Sequence, residues 1–402
     1  MDLAEQPVLF MDRHPEMERT PVPTEPYVSA DFFEKEREKI FRRTWINVAR
    51  ETDVPEPNDY LVREVQIART SVLIVRGKDN VVRAFHNMCS HRGNPVAWDE
   101  RGKCRGAFTC QFHGWVYNTQ GELVYVADAD RFFGVDPQQN GLTPIHCDVW
   151  QGFIFVNFAE RPSETLAGYM APITAGVAGY PFADYSKTYC YKADEAVNWK
   201  TLVEAQLEGW HLPTLHAKTL AKSATNIGKR FTHSALDCLG PHGFVSTFPP
   251  DVFNPSPVTA ISGRYGVGTF DAFAVDREGD KEGSDGFKLN GAFDLYHVFP
   301  NLYIGLLNGT YFTYNIWPVA VDRTIWEITG YFPTAQNAGQ LFAQQVGSIA
   351  FRDTLREDGF THERICSVMS SGAKKQLHLQ DEEMAIRNFM NAVNAYVAAR
   401  PS

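Results

Sequence analysis

Two short cysteine–histidine pairs lie in the first third of the chain. Cys89 and His91 form a C-x-H pair, Cys110 and His113 form a C-x-x-H pair, and 18 residues separate His91 from Cys110. Thiolate sulfurs and imidazole nitrogens are ligands for zinc and for iron–sulfur clusters. The stretch therefore predicts a metal centre held by two short loops, each supplying one thiolate and one imidazole.

Two kinds of metal centre use this ligand set. A Rieske [2Fe–2S] cluster has two Cys on one iron and two His on the other. A Cys2His2 zinc site usually pairs Cys with Cys and His with His, which this spacing does not do. The stretch resembles the Rieske motif C-x-H-R-G…C-x-x-H-G-W almost residue for residue. We therefore expect a [2Fe–2S] cluster, and we interpret Cys104, which falls outside both pairs, as an ordinary buried or half-buried thiol.

A second set of candidate ligands follows about 100 residues later. Glu208 and His211 stand three apart and would share a helix face, whereas His211 and His216 are rotated by about 140° on a regular helix. Pro213 lies between the histidines and can break the helix, which would let His216 turn back toward one metal. Two histidines and a carboxylate with open positions are the ligands of non-haem Fe(II) oxygenases.

This stretch also carries a wider resemblance. It resembles the signature N-W-K-x-x-x-E-N-x-x-(D/E)-x-Y-H-x-x-x-x-H of Rieske non-haem iron oxygenase catalytic (alpha) subunits, which are the ring-hydroxylating oxygenases. The residues that carry this resemblance are Asn198, Trp199, Lys200, Glu204, Glu208, Trp210, His211 and His216. The departures are Ala205 for Asn, Trp210 for Tyr, Glu208 for the commoner Asp, and Gln111-Phe112 for Pro-Tyr. None of these departures removes a predicted metal ligand. The change to Trp210 does alter hydrogen bonding, because an indole N–H can only donate a hydrogen bond whereas a tyrosine hydroxyl can also accept one.

The resemblance implies a ligand set. Cys89, His91, Cys110 and His113 would hold the cluster, and His211 and His216 would hold a mononuclear Fe(II) with one distant carboxylate. The candidates for that carboxylate are Asp353, Glu357, Asp358, Glu363 and Asp381. Glu357-Asp358 and Glu363, followed by Ser370-Ser371-Gly372, resemble the family's E-D-x-x-x-x-E segment, which favours Asp358. In the family's trimers, an acid bridges the cluster of one subunit and the mononuclear iron site of the next. Glu208 matches the position of that acid.

The resemblance also implies an activity. Such enzymes take electrons from NAD(P)H through a ferredoxin or flavin reductase, and they use O2 to oxidise a small organic substrate. We expect mono- or dihydroxylation of an aromatic or bulky apolar compound by a homotrimer or an α3β3 assembly. The alternative is N- or O-demethylation, including that of quaternary ammonium compounds, because relatives acting on these also have Glu at the bridging position. Two other classes of protein stay open, namely an electron carrier without a second metal and a binding module that zinc stabilises.

Composition limits the other possibilities. The chain has 402 residues, 44% of them hydrophobic and 21% charged, which allows two domains with their own cores. Its net charge of −10 argues against a nucleic-acid partner. The first residues lack a basic start, and no stretch reaches the length of a membrane span. Five of the seven cysteines are scattered beyond the proposed thiolate ligands, so we expect a cytoplasmic protein in a reducing compartment.

The pattern of elements predicts an α+β chain. Residues 1–45 would form an arm and a first helix that Ser29 caps and that buries Phe33, Ile40 and Phe41. Residues 46–160 would form an all-β Rieske domain, and residues 161–402 a catalytic domain for which the resemblance implies a helix-grip (START-like) fold with an antiparallel sheet. The strands we predict are Tyr60–Val65, Ser71–Arg76, Val81–His86, Gly152–Phe158, His242–Phe248, Phe293–Phe299, Tyr303–Leu307, Tyr311–Trp317 and Thr324–Phe332.

Three smaller features complete the expectations. Residues 276–290 are polar and rich in glycine, which predicts a loop near the mouth of the pocket. Asp381 is placed to cap a last helix whose stripe includes Ile386 and Phe389. Basic side chains are concentrated around the cluster loops of an otherwise acidic chain, namely Arg92, Arg101, Lys103 and Arg105. We expect them to guide an acidic electron carrier to the cluster.

Overall fold

The computed structural model describes residues 9–220, 224–225, 232–248, 252–265, 289–307 and 309–399. Contacts divide the chain into a unit formed by Glu36–Ala171 and a unit that joins Met1–Lys35 with Pro172–Ser402. The expected boundaries after residues 45 and 160 therefore differ from those drawn by contacts. The segment from residue 36 joins the β unit because Arg37 and Arg42 donate to the carbonyl groups of Gln66, Ile67 and Ala68.

The Glu36–Ala171 unit is built of antiparallel strands. They are β1 (Ile46–Arg50), β2 (Asp59–Val65), β3 (Thr70–Arg76), β4 (Val82–His86), β5 (Arg101–Lys103), β6 (Ala107–Thr109), β7 (Val116–Asn118), β8 (Leu123–Tyr125), β9 (Pro144–Trp150) and β10 (Phe153–Asn157). The larger sheet runs β1-β10-β9-β4-β3-β2-β5 and the smaller runs β6-β7-β8. The predicted all-β organisation of this part of the chain is confirmed.

The core of this unit reaches up to the cysteine loops. The β-branched residues Val72 and Val75 in the middle of β3 are fully buried, as expected for a strand covered on both faces. Cys89 and Cys110 belong to the same hydrophobic cluster as Val75 and Tyr117. The loops that carry the candidate ligands are therefore fixed by packing at their bases.

The other unit is an antiparallel sheet with helices. Its strands are β11 (Ser186–Glu195), β12 (His233–Leu239), β13 (His242–Thr247), β14 (Asp294–Val298), β15 (Leu302–Leu307), β16 (Thr310–Ala320) and β17 (Arg323–Phe332). They pair in the order β11-β17-β16-β15-β14-β13-β12. The five strands predicted here are confirmed within a few residues at each end, whereas β11 and β12 were not predicted.

The helices follow the predicted pattern with two corrections. They are α1 (Glu25–Val28), α2 (Ala30–Glu36), α3 (Leu166–Thr174), α4 (Trp199–Ala205), α5 (Leu212–Leu215), α6 (Pro257–Tyr265), α7 (Ala338–Met369) and α8 (Met384–Ala398). The Ser29 hydroxyl accepts from the Phe32 N–H at 3.1 Å, and a π-helical turn over Arg37–Phe41 continues α2. No helix in the described ranges has the length and apolar character needed to cross a membrane.

The first correction concerns the helix break between the candidate iron ligands. Pro213 does not interrupt a long helix, because α4 has already ended at Ala205 and a new short helix begins at Leu212. Proline is tolerated in a first helical turn, where its missing N–H needs no partner. Glu208 and His211 therefore lie in the bend between two helices rather than on one helix face.

The second correction concerns Asp381, which does not cap α8. Its two carboxylate oxygens accept from the backbone N–H groups of Phe10 and Met11, both at 2.9 Å. Gln380 instead accepts from the Glu382 N–H at the start of the 3-10 turn that leads into α8. The arm near residue 10 is thereby tied to the C-terminal segment. Most of the loop predicted over 276–290 lies outside the described residues.

Candidate metal centres and active site

Two tight loops present the four predicted cluster ligands. The Cys89 N–H donates to the Asn94 carbonyl at 2.8 Å, and the Cys110 N–H donates to the Trp115 carbonyl at 2.8 Å. Gly93 and Gly114 have φ values of 78° and 71°, which favour glycine because a Cβ is strained there. The turn residues seen in the sequence thus close both loops around their ligand pairs.

The ligands are arranged with sulfur inside and nitrogen outside. Cys89 and Cys110 are both 2% exposed and interact with each other, while the rings of His91 and His113 have centroids 4.5 Å apart. His113 is exposed and His91 is half-buried. This donor set fits a Rieske cluster, with one iron held by buried thiolates and the other by imidazoles at the surface.

Hydrogen bonds reach both cysteine sulfurs. The Tyr117 hydroxyl lies 3.2 Å from Cys89 Sγ and also accepts from the Ser90 N–H, and the Asn94 amide lies 3.7 Å from Cys110 Sγ. Burial raises the pKa of Cys89. Burial also acts on Cys110, but backbone N–H groups, first that of Phe112, outweigh it and lower the pKa of that thiol. Tyr117 and Asn94 were missed in the sequence because nothing in their spacing marks them as sulfur partners.

The second centre brings together the residues predicted to hold iron. One ligand atom each from His211, His216 and Asp358 lies within 4.8 Å of the other two. Asp358 Oδ1 is 3.2 Å from His216 Nε2 and 3.6 Å from His211 Nε2. That oxygen is buried and has no aligned hydrogen-bond donor within the described residues. A buried carboxylate oxygen facing two imidazole nitrogens fits a metal ion at this point.

Carboxylates hold the outer nitrogen of each histidine. Glu208 binds His211 Nδ1 and also accepts from the His211 N–H at 3.0 Å. Glu357 lies 2.9 Å from His216 Nδ1 and accepts from the Thr219 hydroxyl. Burial lowers the pKa of His216, but the carboxylates of Asp358 and Glu357 outweigh it and raise the pKa overall. Both rings therefore direct Nε2 toward Asp358, a common arrangement around metal-binding histidines.

The other candidate carboxylates lie elsewhere. Glu363 accepts from the Ala196 N–H at 3.1 Å, and Asp381 binds the residue 10–11 backbone. Asp353 lines the cavity described below and pairs with Arg352. Glu357 lies beside Asp358 on α7 but points at the far side of the His216 ring. The geometry therefore separates Asp358 from the other four acids.

A cavity of about 350 Å³ opens onto the triad. Its described wall is mainly apolar and aromatic, and its polar members include carboxylates but no Lys or Arg. These wall residues are Ala205, Gln206, Glu208, Gly209, His211, Leu212, His216, Thr219, Leu220, His233, Val245, Thr247, Thr259, Phe293, Leu295, Phe312, Tyr314, Ala350, Phe351, Asp353, Thr354, Leu355 and Asp358. The strands of the sheet and α7 thus enclose a pocket of the size of a small organic ligand.

Comparison with known proteins adds relatives of two kinds. The oxygenase subunit of carnitine monooxygenase from Acinetobacter baumannii is 30% identical over 193 residues, which are 47% of this chain and 51% of that protein. The alpha subunit of toluate 1,2-dioxygenase from Pseudomonas putida is 31% identical over 204 residues, 48% of this chain and 43% of that protein. The chain thus spans about half the length of these relatives.

A solved structure shares the fold. The chain superposes on a quaternary ammonium Rieske monooxygenase with a TM-score of 0.74 and 21% identity, over 97% of this chain and 99% of the other. The likeness confirms the expected fold, an all-β Rieske domain with a catalytic domain built on an antiparallel sheet.

Two family models match separate parts of the chain. Residues 44–137 match the Rieske [2Fe-2S] domain, which favours an iron–sulfur cluster over zinc. Residues 182–399, more than half of the chain, match the ring hydroxylating alpha subunit (catalytic domain). The cofactors of these two domains are one [2Fe–2S] cluster and one mononuclear iron, for which the donor sets above are suited. The chain belongs to the family of Rieske-type, ring-hydroxylating oxygenase alpha subunits.

Proposed function

We propose that this chain is the oxygenase subunit of a Rieske monooxygenase that oxidises an N-methyl group of a quaternary ammonium compound. The observation that carries the proposal is the convergence of His211, His216 and Asp358 on the wall of the cavity, in a chain that also has a Rieske domain. As ligands of iron these three residues, and the four cluster ligands, remain predictions that this geometry supports.

The residues of the site divide the work. When bound, the cluster supplies single electrons and the mononuclear iron activates dioxygen. His211, His216 and Asp358 would hold that iron on one side and leave the side toward the cavity open. For an N-methyl substrate, O2 with two electrons and two protons gives water and an N-hydroxymethyl product. That product releases formaldehyde and a proton, and it leaves a tertiary amine.

The charge of the cavity favours a cationic substrate. Three carboxylates, Glu208, Asp353 and Asp358, lie in the described wall, and no lysine or arginine does. Phe312 and Phe351 add ring faces that attract a methylated ammonium group. The similarity to a carnitine monooxygenase subunit supports the same choice. We therefore rank quaternary ammonium compounds above the aromatic substrate expected from the sequence.

Hydroxylation of an aromatic compound is the second candidate. The ring-lined cavity and the similarity to a toluate 1,2-dioxygenase alpha subunit favour it. The two candidates differ in their products, since demethylation yields formaldehyde and an amine, whereas ring oxidation yields a hydroxylated arene or a diol.

The proposal includes partners. A ferredoxin or flavin reductase would deliver electrons from NAD(P)H. A homotrimer, or an α3β3 assembly, would bring one subunit's cluster to the next subunit's iron, with Glu208 between the histidines of the two sites. The Glu208 side chain supports that role because it binds the His211 ring and is still 12% exposed.

Metal analysis tests the two-centre assignment. We expect about three irons and two acid-labile sulfides per chain and a visible spectrum. His211→Ala should remove about one iron and leave the visible spectrum unchanged. His378→Ala, at an exposed histidine, is the matched control and should keep every iron. A colourless protein that holds only zinc would contradict the assignment.

Oxygen uptake with a surrogate reductase tests the substrate class. L-carnitine and glycine betaine are compared with toluate and naphthalene at equal concentration. We expect coupled uptake with formaldehyde release from at least one ammonium compound. Hydroxylated arenes, with no formaldehyde from any ammonium compound, would replace the proposal by the second candidate.

A further inference from the structure

One carboxylate of the cavity wall takes no part in the predicted iron site. Asp353 lies on α7 and lines the cavity together with Ala350 and Thr354, which stand three residues before it and one after it. The geometry favours Asp358 over Asp353 as an iron ligand, because the Asp358 oxygen faces both histidines. The Asp353 side chain is 45% exposed, so a small molecule that enters the cavity can reach it.

The other two carboxylates of the described wall are engaged by the histidines. Glu208 binds the ring and the backbone N–H of His211, and its side chain is 12% exposed. The Asp358 side chain is 4% exposed, and its Oδ1 faces His211 and His216. A metal ion held there would offset the charge of Asp358. Asp353 is therefore the carboxylate in the described wall with the most charge and accessible surface left for a ligand.

Arg352 binds one oxygen of this carboxylate and leaves the other available. Its Nε and Nη2 donate to Oδ1 of Asp353 at 3.0 and 2.7 Å. Oδ2 has no hydrogen-bond partner in the described part of the chain, and it is not among the polar atoms buried there without a partner. The Arg352 and Asp353 side chains are 40% and 45% exposed, so water screens their attraction, and Arg352 is not part of the described wall. A cation in the cavity therefore meets the negative member of this pair rather than the positive one.

The position of Asp353 on α7 determines how far a bound cation would lie from the triad. Asp353 stands five residues before Asp358, which corresponds to about 7.5 Å along the helix axis. The exposed fraction of the side chain falls from Asp353 to Asp358, so Asp353 lies toward the open end of the cavity and Asp358 at its inner end. This separation leaves room for one methylated ammonium group, with its nitrogen toward Asp353 and a methyl carbon toward the triad. A quaternary nitrogen has no N–H to donate, so a nearby negative charge is the feature that distinguishes it from a neutral group.

We propose that Asp353 is the specificity-determining residue that attracts the cationic nitrogen of the substrate through its second carboxylate oxygen, and that Arg352 limits the strength of this attraction. The inference rests on the proposed function, because the substrate oxidised in this cavity is taken to be a methylated ammonium compound. It assigns the choice between a cationic group and a neutral group of the same shape to one side chain outside the metal centres.

Binding of isosteric ligands to the metal-loaded full chain tests the proposal. Calorimetry compares γ-butyrobetaine and choline with their isosteres, in which an uncharged tert-butyl group replaces the trimethylammonium group. Wild type should bind the ammonium member of at least one pair about tenfold more tightly than its isostere, because the two have the same shape and differ in charge. Asp353→Asn should remove most of that preference and leave the affinity for the tert-butyl member unchanged. Arg352→Gln should raise the preference about twofold to fivefold, because it removes the competing positive charge.

Asp322→Asn, at an exposed aspartate outside the described wall, changes the net charge equally and is the matched control, which should keep the preference of wild type. Three outcomes would overturn the proposal, namely an unchanged preference in Asp353→Asn, an equal loss of affinity for both members of a pair, and a fall in Arg352→Gln as large as in Asp353→Asn. If ammonium compounds release formaldehyde while Asp353→Asn keeps the wild-type preference, the inference fails and the proposed function stands. If wild type binds both members of each pair equally and oxidises only arenes, both fail.

Discussion

At the scale of single residues, we expect hydrogen bonds to the two cysteine sulfurs to influence the electron affinity of the cluster that they are predicted to hold. A donor to a thiolate stabilises the more negative, reduced state and raises the reduction potential. The Tyr117 hydroxyl has this position at Cys89 Sγ, and the ring that carries it is fully buried. A phenylalanine would keep the packing of the ring while removing the donor.

We predict that Tyr117→Phe lowers the reduction potential of the cluster by about 40 mV, which corresponds to about 1 kcal/mol for a one-electron couple. Protein-film voltammetry measures the potential directly. Tyr125→Phe, at a tyrosine that is 58% exposed, is the matched control and should not shift it. Equal potentials in wild type and Tyr117→Phe would show that the hydroxyl does not act on the cluster.

The role proposed for Glu208 depends on a neighbouring subunit. We predict that Glu208→Gln keeps both metal centres but loses coupled turnover, because an amide still accepts from His211 while the negative charge of the bridge is gone. Iron content and product formed per O2 consumed measure the two properties. Normal product formation in the variant would exclude the bridge.

Sequence reasoning at this scale works where ligands are close in the chain. Spacing predicts Cys89, His91, Cys110 and His113 as one ligand set, and with that set upstream it also predicts the pair His211 and His216. Asp358 needed the family resemblance, because its distance of more than 140 residues from the histidines carries no local signal.

At the scale of elements, α4 is joined to the N-terminal helices through a buried lysine. Lys200 is fully buried, and its Nζ lies 5.5 Å from the ring centroids of Tyr27 and Trp199 and 5.6 Å from that of Phe32. A desolvated cation over aromatic faces contributes about 2 kcal/mol. The N-W-K run therefore also has a structural role in positioning α4.

We predict that Lys200→Met destabilises the catalytic unit by about 2 kcal/mol, because methionine fills the space but loses the cation–π contacts. The denaturant midpoint of unfolding, followed by tryptophan fluorescence, measures the change. Lys374→Met, at an exposed lysine, should stay within about 0.5 kcal/mol of wild type. A Lys200→Met protein as stable as that control would contradict the prediction.

The elements that sequence reasoning missed are the two edge strands of the catalytic sheet. Most residues of β11 are exposed or half-buried, and β12 contains polar residues such as Asp237. Edge strands keep polar side chains, so the hydrophobic alternation that identified the inner strands is weak in them. The sequence placed the helix break at Pro213, whereas α4 already ends at Ala205 although Trp199, Leu202 and Leu207 keep helical spacing. The bonds of Glu208 to His211 favour the bend instead.

At the scale of the whole molecule, a buried neutral histidine makes stability depend on pH. Burial, with a smaller effect of His242, lowers the pKa of His297 to about 3, while an unfolded histidine titrates near its ordinary value of about 6.5. Between these values the unfolded chain binds the extra proton. The free energy of unfolding therefore falls as the pH drops below about 6.5, by up to about 1.4 kcal/mol per pH unit.

Between pH 7.5 and pH 5, we predict that His297→Phe loses about 2 kcal/mol less free energy of unfolding than wild type, because the titrating group is gone. Denaturant unfolding at both pH values measures the difference. His378→Phe, at an exposed histidine, should leave the pH dependence as in wild type. An unchanged slope in His297→Phe would assign the acid sensitivity to other groups.

Electron delivery from a partner is predicted to depend on charge around the cluster. Arg101 and Lys103 are exposed in β5 and lie on an otherwise acidic chain. Reversing both to Glu should slow cluster reduction by an acidic carrier at low salt, and the difference should fade as salt screens it. Stopped-flow reduction measures the rate. Lys374→Glu with Lys375→Glu changes the net charge equally and should have little effect.

The division of the chain into units also bears on its biosynthesis. The Glu36–Ala171 unit is formed by one continuous stretch, whereas its companion joins residues before that stretch to residues far after it, including Asp358 and α8. Domains generally fold as units while the ribosome is still working. Sulfur and iron insertion at the cysteine loops can therefore begin before the residues of the proposed ferrous pocket have been synthesised.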